Sequence, residues 1–274
     1  MKILNFRNTS TLFLLLMSAF TACRIFLCPC ESCFMSGLCN HPWLFYTILI
    51  TVYLSISVGM AFFPASGFHY REVYSRGKIG KKLLSLTFDD GPDPVNTPGI
   101  LDILGKFKVK AAFFIIGRKT AGNEGILQRI AGEGHVIGNH SWSHSYLWDL
   151  YSSSAMADDI ERNIKETERI TGKRMRFFRP PYGVINPMVA KAAGKTGVDV
   201  VVWSFRSFDT AARDPKALLD KTLRSARPGD IMLFHDSSAL TAGILEKIIV
   251  SLQERGFNFI PLDEMLTLKA YENC

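Results

Sequence analysis

Two adjacent carboxylates, Asp89 and Asp90, stand where the apolar run Leu86-Thr87-Phe88 meets Gly91-Pro92. Side chains alternate across a strand, so both acids face one site only if the chain turns at that point. Neighbouring carboxylates also repel unless a cation absorbs part of the charge. A metal on one acid and proton transfer by the other would resolve this; read singly, the pair equally suits an acidic loop capping the next helix. Downstream, His140-Ser141-Trp142-Ser143-His144 holds two imidazoles at i and i+4. In a helical turn these sit about 5–6 Å apart on one face, which is how paired histidines grip zinc. Two histidines with one aspartate make a three-ligand site with open positions, the catalytic arrangement and not the structural one. In Arg179-Pro180-Pro181-Tyr182-Gly183 the prolines fix the backbone and push Arg179 into an extended conformation. Such a loop can present the Tyr182 N–H to an oxyanion and Arg179 to a carboxylate; a rigid surface turn is the plainer reading. His235 closes Leu233-Phe234-His235 and, alone, reads as a structural histidine.

Each candidate follows an apolar run, so the positioning elements matter. Strands are expected at Leu83–Phe88, Ala111–Ile116, His135–Gly138, Met175–Phe178, Asp199–Trp203, Asp230–Phe234 and Phe257–Ile260. Helical patterns lie between them, near 97–106, 122–132, 153–171, 186–196, 214–226 and 239–255, with another at 261–269 after the last strand. The stretch ADDIERNIKETERITG shows the 3.6 period, with Ile160, Ile164 and Ile170 on one side and charges on the other, and a glycine ends it. Strand–helix alternation repeated this often argues an α/β fold with a parallel sheet, open or closed into a barrel. Functional groups in such folds gather at the carboxyl ends of strands.

Taken together, the ordered motifs TFDD, H-S-x-x-H, R-P-P-Y and L-F-H resemble the polysaccharide deacetylases, the NodB-homology or carbohydrate esterase 4 family, over about 190 residues. That resemblance implies a distorted (β/α) barrel of about seven strands in a catalytic domain spanning 80–268. It implies removal of N-acetyl groups from amino sugars of a glycan such as peptidoglycan or a chitin-like polymer, releasing acetate. It assigns Asp90, His140 and His144 to one divalent metal ion, zinc being the expected one. Asp89 becomes the base, paired with Arg179; the Tyr182 N–H binds the oxyanion; His235 protonates the departing amine and Asp209 orients it. One motif departs from the family's D-x-x-D-W: Arg206 stands at the first aspartate and Thr210 at the tryptophan, while Asp209 keeps the second aspartate. A deacylase on the same scaffold, acting on a lipid-linked N-acetylhexosamine or an O-acetylated glycan, is the alternative. A catalytically silent glycan-binding or membrane-assembly protein is a third reading, against which every expected metal ligand is present.

The N-terminal part is different in kind. Residues 1–63 carry only Lys2, Arg7, Arg24 and Glu31 as charges. Residues 43–63 are uncharged and, at 1.5 Å per residue, span roughly 30 Å, the thickness of a bilayer core. Residues 1–66 are therefore expected to anchor the chain in membrane lipid through 43–63. The shorter run 11–22 reads as a signal-peptide core, a first span or a lipoprotein signal ending at Cys23. The distribution of Lys and Arg favours both ends in the cytoplasm, whereas a cell-wall substrate asks for an extracytoplasmic catalytic domain; topology stays open. Cys23, Cys28, Cys30, Cys33 and Cys39 match no zinc-site spacing and read as thiols between apolar segments. The net charge is +7, but no basic run interleaves with aromatics, which excludes a nucleic-acid surface. No protein partner is implied.

Overall fold

The computed structural model describes residues 5–27, 41–70, 72–77 and 81–272. Helices α1 (Phe6–Leu27) and α2 (Pro42–Ala61) precede β1 (Val73–Tyr74), β2 (Leu83–Gly91), α3 (Thr97–Lys106), β3 (Ala112–Ile115), α4 (Glu124–Gly132) and β4 (Val136–Asn139). Then come α5 (Ser153–Thr171), β5 (Phe177–Phe178), α6 (Pro187–Thr196), β6 (Asp199–Val201), β7 (Phe205–Arg206), α7 (Pro215–Ser225), β8 (Asp230–His235), α8 (Ala239–Glu254), β9 (Asn258–Phe259) and α9 (Leu262–Leu266).

Every strand pairing is parallel, in the order β1-β6-β5-β4-β3-β2-β8-β7, with β9 beside the start of β2. The passage 199–206 holds β6 against β5 and β7 against β8. One kinked segment thus joins both sides of the order, and the sheet curls into a (β/α) barrel. Among the described residues the strands number nine, against the expected seven or so. Strands β1 and β7 are two residues long, too short to display a period, and both were missed.

Pleat alternation decides what each strand points inward. Ala112, Phe114, Val136, Phe177, Val201 and Ile231 form an inner apolar cluster, closed by Leu262 and Met265 of α9. The opposite parity, including Leu84, Leu86, Phe88, Phe113, Ile137, Phe178, Met232 and Phe234, packs under the outer helices. A Cβ on Gly138 would come within 2.5 Å of the Phe114 ring, so only glycine fits that inner position. By the same parity Asp89, Arg179 and His235 top the inner face at the carboxyl ends.

The N-terminal helices form an antiparallel hairpin. Phe13 stacks on Tyr53 at 4.5 Å between ring centres and Phe20 on Phe45 at 3.8 Å, while Ser10 Oγ and Tyr53 Oη share a hydrogen bond of 2.9 Å. Helix α1 is longer than the apolar run 11–22 that marked it. Both helices are long and apolar enough to cross a bilayer, by length and composition. Their outward leucines and isoleucines are exposed. The Ala61 carbonyl accepts from the Ile185 N–H at 3.0 Å, tying the end of α2 to the catalytic domain. Of the cysteine cluster only Cys23 lies among the described residues, as a free thiol.

Candidate active site

The end of β2 solves the problem of two adjacent acids. Register with β3 runs Asp89↔Phe114 and then jumps to Gly91↔Ile115, so Asp90 is an extra, bulged residue. Its φ of 74° is left-handed, which brings its carboxylate round to the side that Asp89 already faces. His140 Nε2 lies 3.5 Å from Asp90 Oδ1 and 3.9 Å from Asp89 Oδ2, and His144 Nε2 lies 3.4 Å from Asp90 Oδ1.

The two histidines do not sit on a helical turn, contrary to the reading of their spacing. The loop winds through left-handed residues Ser141 (φ 66°) and His144 (φ 43°), and the ring centres end 4.8 Å apart. Side chains from elsewhere hold it. Asp159 on α5 accepts from Trp142 N at 2.8 Å and Ser143 N at 3.1 Å. Asn139 Oδ1 accepts from Ser141 N at 2.8 Å, and buried Asn163 donates to Ser141 O at 2.9 Å. Asp159 and Asn163 were not picked out in the sequence. Their spacing i, i+4 on an otherwise apolar-faced helix was the available signal.

Three facts suit these groups to a cation. His140 Nδ1 faces the Arg179 carbonyl at 2.7 Å and must donate to it, so the lone pair sits on Nε2, toward Asp90. Burial, and then the neighbouring His140, lowers His144 to about 4, so this imidazole is neutral near pH 7. Asp90 Oδ1 is buried and has no hydrogen-bond partner among the described residues. The donor atoms lie within 4.8 Å of one another. That N/N/O set fits a divalent metal ion.

Asp89 is buried and fixed from behind. Arg179 Nη1 donates to Asp89 Oδ1 at 2.6 Å and to Thr87 Oγ1 at 2.9 Å, while Nε and Nη2 donate to the Val201 and Val202 carbonyls at 3.2 Å each. The guanidinium also lies 3.9 Å from the Phe114 ring centre. Burial lowers the pKa of Arg179 and Asp89 opposes that, yet an arginine stays charged near neutrality. Tyr182 follows in a left-handed turn (φ 58°), its ring 5.0 Å from that of His144.

On the other side, His235 Nδ1 meets Asp209 Oδ1 at 2.7 Å, and the His235 N–H donates to Asp209 Oδ2 at 2.8 Å. Ser207, and Thr241 on α8, each donate a further hydrogen bond to Asp209. Burial pulls His235 down, but the Asp209 hydrogen bond and charge outweigh it and leave the imidazole above its ordinary value. Burial likewise pushes Asp209 up, and His235 and Thr241 bring it below the usual carboxylate range. The remaining sequence histidine of note, His135, lies at the other end of β4 and accepts from Ala111 N at 3.2 Å, a structural role.

Asp89, Asp90, His140, His144, Tyr182 and His235 line one cavity of about 410 Å³, with Trp203, Arg206 and Arg118 in its walls. A carboxylate held by arginine, three converging N/N/O donors and an imidazole held by a second carboxylate around one space could serve an amide- or ester-cleaving hydrolase.

The sequence pattern named polysaccharide deacetylase matches residues 76–201. A peptidoglycan-N-acetylglucosamine deacetylase of Bacillus cereus is 34% identical over 197 residues, 69% of this chain and 90% of that protein. The peptidoglycan-N-acetylmuramic acid deacetylase PdaA of Bacillus subtilis is 32% identical over 201 residues, covering 71% and 75% of the two chains. The crystal structure of a peptidoglycan N-acetylglucosamine deacetylase in complex with an N-hydroxybenzamide superposes with a TM-score of 0.69 at 32% identity, over 73% of this chain and 95% of that one. The chain belongs to the polysaccharide deacetylase family, the NodB-homology or carbohydrate esterase 4 group.

Proposed function

We propose that the chain is a metal-dependent hydrolase that removes N-acetyl groups from amino sugars of a polysaccharide such as peptidoglycan or a chitin-like glycan. The convergence of the Asp90, His140 and His144 donor atoms within 4.8 Å carries the reading. Those three residues would hold one divalent ion, zinc by its N/N/O donors, and the bound ion would supply the positive charge that polarises an acetyl carbonyl and acidifies a water.

The other residues divide the proton work. Asp89, with Oδ1 tied to Arg179, leaves Oδ2 facing the cavity beside His140, where it takes the proton of the attacking water. The Tyr182 N–H supports the oxygen that gains charge as hydroxyl adds to the carbonyl carbon. His235, cationic and held at Nδ1 by Asp209, gives a proton from Nε2 to nitrogen as the C–N bond breaks. The products are acetate and a free amino sugar. Acetate release from a panel of peptidoglycan, chitin oligomers, xylan and a lipid-linked N-acetylhexosamine tests this. Release from none of them sinks the reading.

Residues 1–66 act as a membrane anchor in this proposal, and 80–268 as the catalytic domain on the extracytoplasmic side. The exposed apolar flanks of α1 and α2 support that assignment. The bond from Ala61 O to Ile185 N, just beyond Tyr182, and the exposed Phe62 and Phe63 bring the anchor near the cavity. This favours the second reading as well, a lipid-linked or O-acetylated glycan cleaved at the membrane; the same panel separates the two.

A further inference from the structure

The wall that departs from the family pattern carries charge the mechanism does not use. Arg206 lies on β7, exposed, in the position where the family pattern has aspartate. Its guanidinium sits 5.4 Å from the Trp203 ring centre and 4.8 Å from that of Phe208, which pins it at the cavity wall without neutralising it. Among the described residues Arg206 makes no ion pair. Lys221 adds a second cation behind it, 4.2 Å from the Phe208 ring, and the Arg206 charge helps depress this amine after burial has done so.

Arg118, after β3, is exposed on the cavity wall and likewise forms no ion pair among the described residues. The strand order β3-β2-β8-β7 sets Arg118 and Arg206 on opposite sides of the two acids of β2. A glycan lying across the site therefore meets a guanidinium to either side of the reacting group. A neutral N-acetylglucosamine polymer offers nothing to balance these charges. A sugar bearing a carboxylate or a phosphate offers a planar or forked acceptor that guanidinium binds bidentately.

We propose that Arg206 is a specificity residue that binds an anionic substituent of the glycan, so that the site prefers acidic N-acetylated sugars over neutral ones. For turnover this rests on the deacetylation reading; for binding it stands alone.

The test uses the full chain in detergent, loaded with zinc, and four soluble oligomers. One is a neutral chitin oligomer; one alternates N-acetylglucosamine with lactyl-ether-bearing N-acetylmuramic acid. The third is the second with its carboxylates reduced to alcohols, and the fourth carries phosphodiesters. Dissociation constants and kcat/KM are measured for wild type, Arg206→Gln and Arg206→Lys. Wild type should favour an anionic oligomer, and Arg206→Gln should cost about tenfold more on that oligomer than on the neutral or reduced one, mainly through KM. Arg206→Lys should restore part of the difference. Whether the second or the fourth oligomer shows the effect tells carboxylate from phosphate. Equal losses on charged and neutral oligomers, or a wild type without preference, overturn the proposal. If no oligomer is deacetylated, the dissociation constants still decide it, and the deacetylation reading fails instead.

Discussion

Asp89 and Asp90 are chain neighbours with different surroundings, and that difference is testable. Asp90 Oδ1 faces two imidazole nitrogens, whereas Asp89 faces a buried guanidinium. Asp90→Asn should lose metal measured by elemental analysis, and His140→Ala should do the same. Asp89→Asn should keep metal but lose turnover by about 10²–10⁴. Equal metal loss in both aspartate variants would end that division of labour. His235 can be examined at its leaving group. Amide cleavage needs a proton on nitrogen, so His235→Ala should cost on the order of 10²–10⁴ in kcat on the acetamide and much less on an activated acetyl ester. In the proposed mechanism His235 acts while protonated, and its pKa is raised through Asp209, so activity should fall on the alkaline side as that proton is lost. Asp209→Asn removes the partner and should move the alkaline limb of kcat to lower pH. An unmoved limb would place the acid elsewhere.

At the scale of elements, His140 and His144 depend on a helix that contributes no residue to the cavity lining. Asp159 and Asn163 of α5 hold the loop 140–144 through its backbone, where no helical turn exists to do so. Asp159→Ala should cost about 1–3 kcal/mol of stability, since three half-buried N–H groups, those of Trp142, Ser143 and the Trp148 indole, lose their acceptor. It should also weaken metal binding roughly 10–100-fold, as loss of outer support commonly does. Calorimetric titration with zinc and a melting curve read both; full affinity in the variant would show that the loop holds itself.

This is also where sequence reading ran short. The TFDD, RPPY and LFH residues were legible because each ends an apolar run, and strand ends are fixed by pleat and polarity. The HSWSH segment was legible as a pair but not as a conformation, since Ser141 and His144 take left-handed backbone that serine and histidine seldom signal. The kink at 202–204, which puts β7 beside β8 and Asp209 beside His235, left no periodic trace in two-residue strands.

On the scale of the whole molecule, the groups proposed for catalysis all lie beyond residue 88, and the inner cluster is closed by α9 rather than by the hairpin. A chain beginning near Gly67 should therefore remain soluble and retain activity on soluble oligomers within a few-fold. Sedimentation and acetate release check this, and an insoluble, inactive product would mean that α1 and α2 pack against the domain instead of a bilayer.

The bond from Ala61 to Ile185 has a spatial consequence if the hairpin is seated in lipid. No long tether separates α2 from the barrel: only the stretch 62–72 lies between Ala61 and β1, and its start is pinned to the loop beside Tyr182. The enzyme then cannot swing outward to sample a thick polymer. Its working zone is a shell about one domain deep, roughly 30–40 Å for a chain of this size. Glycan strands would acquire free amines only while they pass through that shell. In a multilayered wall the amine content would rise across that shell and hold constant in the layers beyond it.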